Sequence, residues 1–341
     1  MRQLSFAFAS SLTLTAVLAL GGIYLHAQAP PRAATGKKWT PSRTADGHPD
    51  LQGTFDFATA TPLERPASLA NKAVLSDEEA AAFEKQQAAN RQRIDDAPLP
   101  AGQVGGYNEF WYEFGTKVVG DRRTSLITDP PDGRLPPLLP EAQKRADGRR
   151  AQLRRLADGP EERDASERCL LGYNSGPPMI PVGYNQNVQI VQTRDYVMVH
   201  NEMVHTARII PVDARPHPAP QFQSWSGDSR GRWEGDTLVV ETTNFNDKTW
   251  NQFSGWSWAV DENLHLVERF SLIDADTVLY EFTVTDPTTW TKPWSAAVPL
   301  RRTTNLMYEY ACHEGNEGME GILRGARALE RDGEAAKTSG R

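Results

Sequence analysis

"HLVERFSLIDADTVLYEFTVTDPTTW", residues 265–290, carries the reading of the fold. Side chains of an extended chain alternate between two faces, so Leu264, Leu266, Glu268, Phe270 and Leu272 share one side. In the next run Tyr280, Phe282 and Val284 share a side, opposite Leu279, Glu281, Thr283 and Thr285. Asp274-Ala275-Asp276 lies between the two runs as a turn. The alternation predicts two half-buried strands. It also puts Glu268 on the buried side and Glu281 outside.

Runs of the same texture extend in both directions: "VQIVQT" (188–193), "DYVMVH" (195–200), "MVHTARIIPV" (203–212), "DTLVVETTNF" (236–245) and "LMYEYACHE" (306–314). Gly235-Asp236 and "DPTTW" (286–290) are further links, and "LQGTFDF" (51–57) reads as a first strand. Short strands at this spacing predict a mainly β fold, an antiparallel lipocalin-like barrel or sandwich. Two peripheral helices accompany it. Residues 75–93 carry Ser76 as N-cap with Glu79 three positions on, a capping box. An Arg-rich helix over 140–157 reads as a solvated face in preference to a docking patch.

The domain reading follows. Residues 1–29 are a signal peptide, 30–50 an extended arm or linker, 51–325 a single β-rich domain with the two helical insertions, and 326–341 a polar C-terminal tail. Arg2, a long apolar stretch and "AQA" ending at Ala29 form the pattern of a cleaved export signal. A retained anchor over Phe6–Leu25 is the alternative. The expected location is periplasmic or secreted, with no stable membrane insertion once the signal is cleaved. The net charge of −7 argues against nucleic acid as a partner. Cys169 and Cys312 are the only cysteines, and in an oxidising compartment an even pair predicts a disulfide.

Candidate chemistry begins at "VMVHNEMVHTARII" (197–210). His200 and His205 lie five apart, so on a helix they would be rotated by about 140° from each other. The zincin pattern needs four, and the flanks are strand-like, so a zincin is excluded. If Asn201-Glu202 is a turn, both imidazoles share a face; if the segment is one long strand, His205 sits opposite His200 and Glu202. A metal site of His200, Glu202, His205 and His313 has adequate donors but no supporting spacing, so no metal is expected.

The inward Glu268 is either an ion-pair member, with an arginine such as Arg208, or a general acid/base with His205 or His313 as second proton-transfer group. Glu241 has no clear side. Trp250, Trp256 and Trp258 cluster in one loop, which is either a lid over an apolar ligand or a plug at a barrel end. No Gly-rich phosphate loop and no Gly-x-Ser-x-Gly elbow is present, and no cofactor is expected.

Two functions follow. One is an exported barrel that binds a small apolar or aromatic ligand in a central cavity, with Glu202, Arg208, Glu241 and the three tryptophans as ligand contacts. The other is a cofactor-independent lyase, isomerase or hydrolase using Glu268 with His205 or His313.

"GDSRGRWEGDTLVVETTNFND" (227–247), "ENLHLVERF" (262–270), "LYEFTVTDPTTWTKPW" (279–294) and "YEYACHEGN" (308–316) resemble a large family of secreted proteins from environmental bacteria. "PDLQGTF" (49–55) and "TSLITDPPDGRLPPL" (124–138) resemble it as well. The resemblance implies export and this architecture, and no particular activity. Its segment equivalent to "NEMVH" often has an acidic residue after the His, where this chain has Thr206. "LQGTF" also resembles the Gly-x-Trp opening of lipocalin-like barrels, with Phe55 in place of Trp.

Overall fold

The computed structural model describes residues 39–95, 112–251 and 254–339; the expected signal peptide lies outside them. Ten strands form one antiparallel sheet: β1 Gly53–Asp56, β2 Ile127–Asp129, β3 Asn187–Gln192, β4 Tyr196–Asn201, β5 Ala207–Pro211, β6 Asp228–Glu234, β7 Thr237–Thr243, β8 His265–Leu272, β9 Thr277–Thr285 and β10 Trp294–Arg302. Their order is β5-β4-β3-β1-β10-β9-β8-β7-β6, with the short β2 also pairing β10. The sheet curls into a nearly closed, lipocalin-like barrel, bringing its end strands β5 and β6 alongside one another.

The two ends approach closely at a glycine. A Cβ added at Gly231 of β6 would come within 2.7 Å of Val212 Cγ1 and 3.1 Å of Ile210 Cγ2, so a side chain there would have to displace Val212.

β8 and β9 pair from His265↔Thr285 to Leu272↔Val278 around the expected turn, where Ile273 N–H donates to Thr277 O at 3.0 Å. Leu266, Glu268, Phe270, Tyr280, Phe282 and Val284 are buried and Glu281 is exposed, as the alternation requires. One apolar cluster fills the barrel with Phe55, Ile190, Val199, Ile210, Leu238, Val240, Phe282 and Trp294, among others.

Three strand assignments differ from the sequence reading. β6 (Asp228–Glu234) lies between the expected runs 203–212 and 236–245 and was not among them. β10 (Trp294–Arg302) is central yet holds Pro299, a residue that ordinarily marks an edge. Ala297 N–H donates to Leu126 O, on the side away from β9, and the nitrogen of residue 299 points the same way. There β2 pairs only at 295–296 and β1 only at 301–302, so the missing N–H falls in a gap between partners. Residues 306–314, expected as a strand, form none; Leu306 and Tyr308 are exposed on an irregular segment that ends in a turn.

Among the described residues three α-helices lie outside the sheet. α1 (Asp77–Asp95) opens with the reciprocal capping box: Glu79 N–H donates to Ser76 Oγ at 3.2 Å, and Ser76 N–H to Glu79 Oε2 at 2.8 Å. α2 (Pro140–Leu153) is not simply a solvated face. Ala142 and Ala146 pack on Ala259, and the arginines one turn apart clamp the Trp-rich loop. Arg145 donates to Ala259 O at 2.8 Å, and Arg149 to Trp258 O at 3.0 Å and Val260 O at 2.7 Å. Burial, then the neighbouring Arg145 charge, push the Arg149 pKa down to about 10. α3 (Glu317–Ser339) continues through the residues read as a polar tail. The Cys169–Cys312 disulfide is formed and ties the segment before α3 to the chain ahead of β3. Among the described residues no helix is long and apolar enough to cross a membrane.

Candidate functional site

Glu268 lies inside the barrel with no solvent exposure. Arg208 reaches it from β5, Nη1 to Oε2 at 2.7 Å and Nη2 to Oε1 at 2.8 Å. Tyr280 Oη donates to Oε1 at 2.7 Å and accepts Met179 N–H at 3.1 Å. Burial works against a charged guanidinium, but the Glu268 carboxylate outweighs it and raises the Arg208 pKa. Burial and then the Glu268 charge push the Tyr280 phenol well up, so it stays a donor. This is the ion-pair alternative for Glu268: β5, the end strand, is stapled across the interior to β8 and β9. Both carboxylate oxygens are occupied.

His205 and His313 do not join Glu268. β4 ends at Asn201, residues 202–206 turn, and His200 pairs with Ala207 in β5. The imidazoles of His200 and His205 meet edge to face at 4.7 Å on the outside of the barrel, but neither expected arrangement forms: Asn201 still belongs to β4 and the reversal falls on 202–206. Burial, then the His205 charge, lower the His200 pKa. Val204 and His205 hold φ of +57° and +53°, a strained pair at the turn. His313 is exposed in the turn after Cys312.

The remaining expected contacts are dispersed. Glu241 faces outward on β7 and hydrogen-bonds His265 Nε2 at 2.7 Å. Trp256 belongs to the barrel core and meets Trp294 edge to face, while Trp250 and Trp258 stack at 5.6 Å beneath Arg149 and Arg150. That packing is the plug arrangement. The cavity these loops border, lined by Tyr173, Trp225 and Trp256, holds only about 20 Å³.

Glu202 leads to a different place. It is buried behind the β4–β5 turn, where Oε2 accepts Asn187 Nδ2 at 2.8 Å and Oε1 accepts Tyr308 N–H at 3.2 Å. Asn187 begins β3 and lies across from Asp56 of β1, which lies across from Arg301 of β10. These three form a row on the outer wall, because Phe55 and Phe57 on either side of Asp56 are buried in the core.

Residues 113–117 lie over the row. Glu113 N–H donates to Gly183 O at 2.9 Å, and Gln186 returns two bonds, N–H to Glu113 Oε2 at 3.1 Å and Nε2 to Glu113 O at 2.6 Å. Ala60 N–H donates to Lys117 O at 2.8 Å, and the backbones touch so closely that a Cβ at Gly115 would overlap Thr59. Between this segment and the wall is a pocket of about 290 Å³, bordered by Asp56, Glu113, Lys117, Asn187, Arg301 and Asn305.

The electrostatics of the pocket are unusual for an outer surface. Burial raises the Asp56 pKa against the Ala58 N–H bond and Arg301, with Glu202 adding to the rise. Glu113, open to solvent on one side, is likewise raised by desolvation and by Glu202 and Asp56, against its bond from Gln186. Lys117 is committed to Glu84 at 2.8 Å. Among the described residues the Arg301 guanidinium has no hydrogen-bond or ion-pair partner. Asp56, Glu113, Asn187, Arg301 and Asn305 were not legible as a site in the sequence. Only the placement of Asp56 between two core phenylalanines hinted at an outward carboxylate.

A folded pKa raised above the unfolded value means that the native state binds the proton more tightly, so stability is lost as pH rises through the raised value. Asp56→Asn and Glu113→Gln, which keep the Ala58 and Gln186 hydrogen bonds, are therefore expected to raise Tm at neutral pH. The gain should vanish below the ordinary carboxyl values of 3.8 and 4.5, where both wild-type groups are protonated in either state. Thermal unfolding across pH checks this, and an equal fall in Tm at acid and neutral pH would contradict it.

Among the described residues no group of three or more His, Cys, Asp or Glu side chains is placed to hold a metal ion. Comparison of the chain with family models, with curated proteins and with solved structures finds no match, so the reading of the site rests on its own geometry.

Proposed function

We propose that this is an exported β-barrel binding protein that holds a small polar ligand in the pocket on its outer wall. The observation that carries the reading is the meeting, across one pocket, of two carboxyls with raised pKa and a guanidinium without a partner. Such an arrangement opposes folding, and groups kept at a cost to stability mark sites of function. The volume of about 290 Å³ suits a small molecule. The barrel interior, where an apolar ligand was expected, is occupied by core side chains and by the Arg208–Glu268–Tyr280 staple. Export is supported by the formed disulfide, which suits an oxidising compartment.

The raised pKa values favour one second reading. Asp56 and Glu113 would act as general acid and base of a cofactor-independent lyase, isomerase or hydrolase on the same ligand.

Calorimetry with polar panels (amino acids, polyols, amines, sugars) and apolar panels tests the proposal. At least one polar class is expected to bind, about tenfold or more weaker in Arg301→Ala or Glu113→Ala, as for loss of one charge-assisted contact. Trp258→Ala should leave that affinity unchanged. Binding confined to apolar compounds and weakened by Trp258→Ala would overturn it.

A further inference from the structure

We propose that the ligand of the outer-wall pocket is a small zwitterion of amino-acid kind, its ammonium held by Asp56 and Glu113 and its carboxylate by Arg301. The inference rests on the reading of this pocket as the binding site and adds the chemistry of the ligand. Asp56 and Arg301 stand directly across from each other on β1 and β10, yet they form no ion pair within 4 Å. Adjacent strands lie about 4.8 Å apart, so two opposite charges sit side by side at the pocket wall and act on each other through space, but no hydrogen-bonded pair ties them together. Asp56 spends Oδ1 on Ala58 N–H at 2.7 Å, and Glu113 spends Oε2 on Gln186 N–H at 3.1 Å, leaving each carboxylate a further oxygen.

Charge balance narrows the ligand. A lone anion drawn to Arg301 would meet Asp56 and Glu113, with Glu202 behind Asn187. A lone cation on the carboxylates would leave the guanidinium uncompensated. A neutral polyol would gain little from either charge. A molecule carrying both charges satisfies all three groups, and the planar guanidinium fork donates two parallel hydrogen bonds to a carboxylate. Lys117 does not compete for it, because its ammonium is held by Glu84, which also takes Val118 N–H at 3.0 Å.

The test is calorimetry on the full exported chain with the twenty common L-amino acids. The tightest of them is then compared with its decarboxylated amine and its desamino acid. Each single-charge relative is expected to bind about 10–100-fold more weakly, the range for loss of one charged contact. Arg301→Gln should erase the preference over the amine alone, and Asp56→Asn with Glu113→Gln the preference over the acid alone. These ratios do not move if a variant merely lowers stability. Equal binding of the amine and the amino acid would overturn the zwitterion. So would binding of a sugar or polyol with no amino acid bound, although the pocket reading would then stand. If no compound of any panel binds, the pocket reading falls as well.

Discussion

Glu268→Gln is expected to lose about 3–5 kcal/mol of folding stability, the range for removing one partner of a buried ion pair. The substitution is nearly isosteric, so it opens no cavity; what it leaves is the Arg208 charge, buried and without its counter-ion. The loss should exceed that of an ordinary core change because the pair joins end strand β5 to β8, across the place where the barrel has no ladder of hydrogen bonds. Replacing both partners together, Arg208→Met with Glu268→Leu, should recover most of the loss, since a well-packed apolar pair avoids the desolvation that the charges suffer. Urea unfolding of the three variants checks this. A stable Glu268→Gln that loses only an activity would instead make Glu268 an acid/base group.

Opening the Cys169–Cys312 bridge, by Ser at both positions, is expected to lose about 3–5 kcal/mol. The bridge spans 143 residues, and in the chain-entropy model long loops gain most from being closed. The effect should also have a location. The bridge anchors the irregular segment whose Tyr308 N–H caps Glu202 and whose Asn316 Nδ2 reaches Glu167 O at 3.0 Å. α3 follows, with Arg327 donating to Ala157 O at 2.9 Å and Asp158 O at 3.0 Å. Hydrogen exchange should therefore rise first over residues 303–333, while β8 and β9 keep their protection. A uniform rise over the barrel would contradict this.

The alternation in 265–290 and the Ser76/Glu79 spacing were legible because their information is local: one face of a strand, one turn of a helix. The Glu268–Arg208 pair was half legible. Parity put the carboxylate inside, and physical chemistry required a partner for it. β10 was missed because Pro299 argues against a central strand, and only the gap between β1 and β2 explains why it is tolerated. The arginines of α2 looked solvated because the carbonyls that bind them come from residues 247–260, far along the chain. The pocket was hidden for the same reason. Asp56, Glu113, Asn187 and Arg301 come from four separate stretches and meet only through strand register and the close passage of Gly115 over Thr59.

We propose the outer-wall pocket, and not the barrel interior, as the ligand site. The most direct measurement is a crystallographic fragment screen with polar and apolar fragments in equal number. Polar fragments are expected between residues 113–117 and the Asn187–Asp56–Arg301 row, with none in the interior. Fragments seated inside the barrel against Glu268 and Tyr280, with the outer pocket empty, would contradict it.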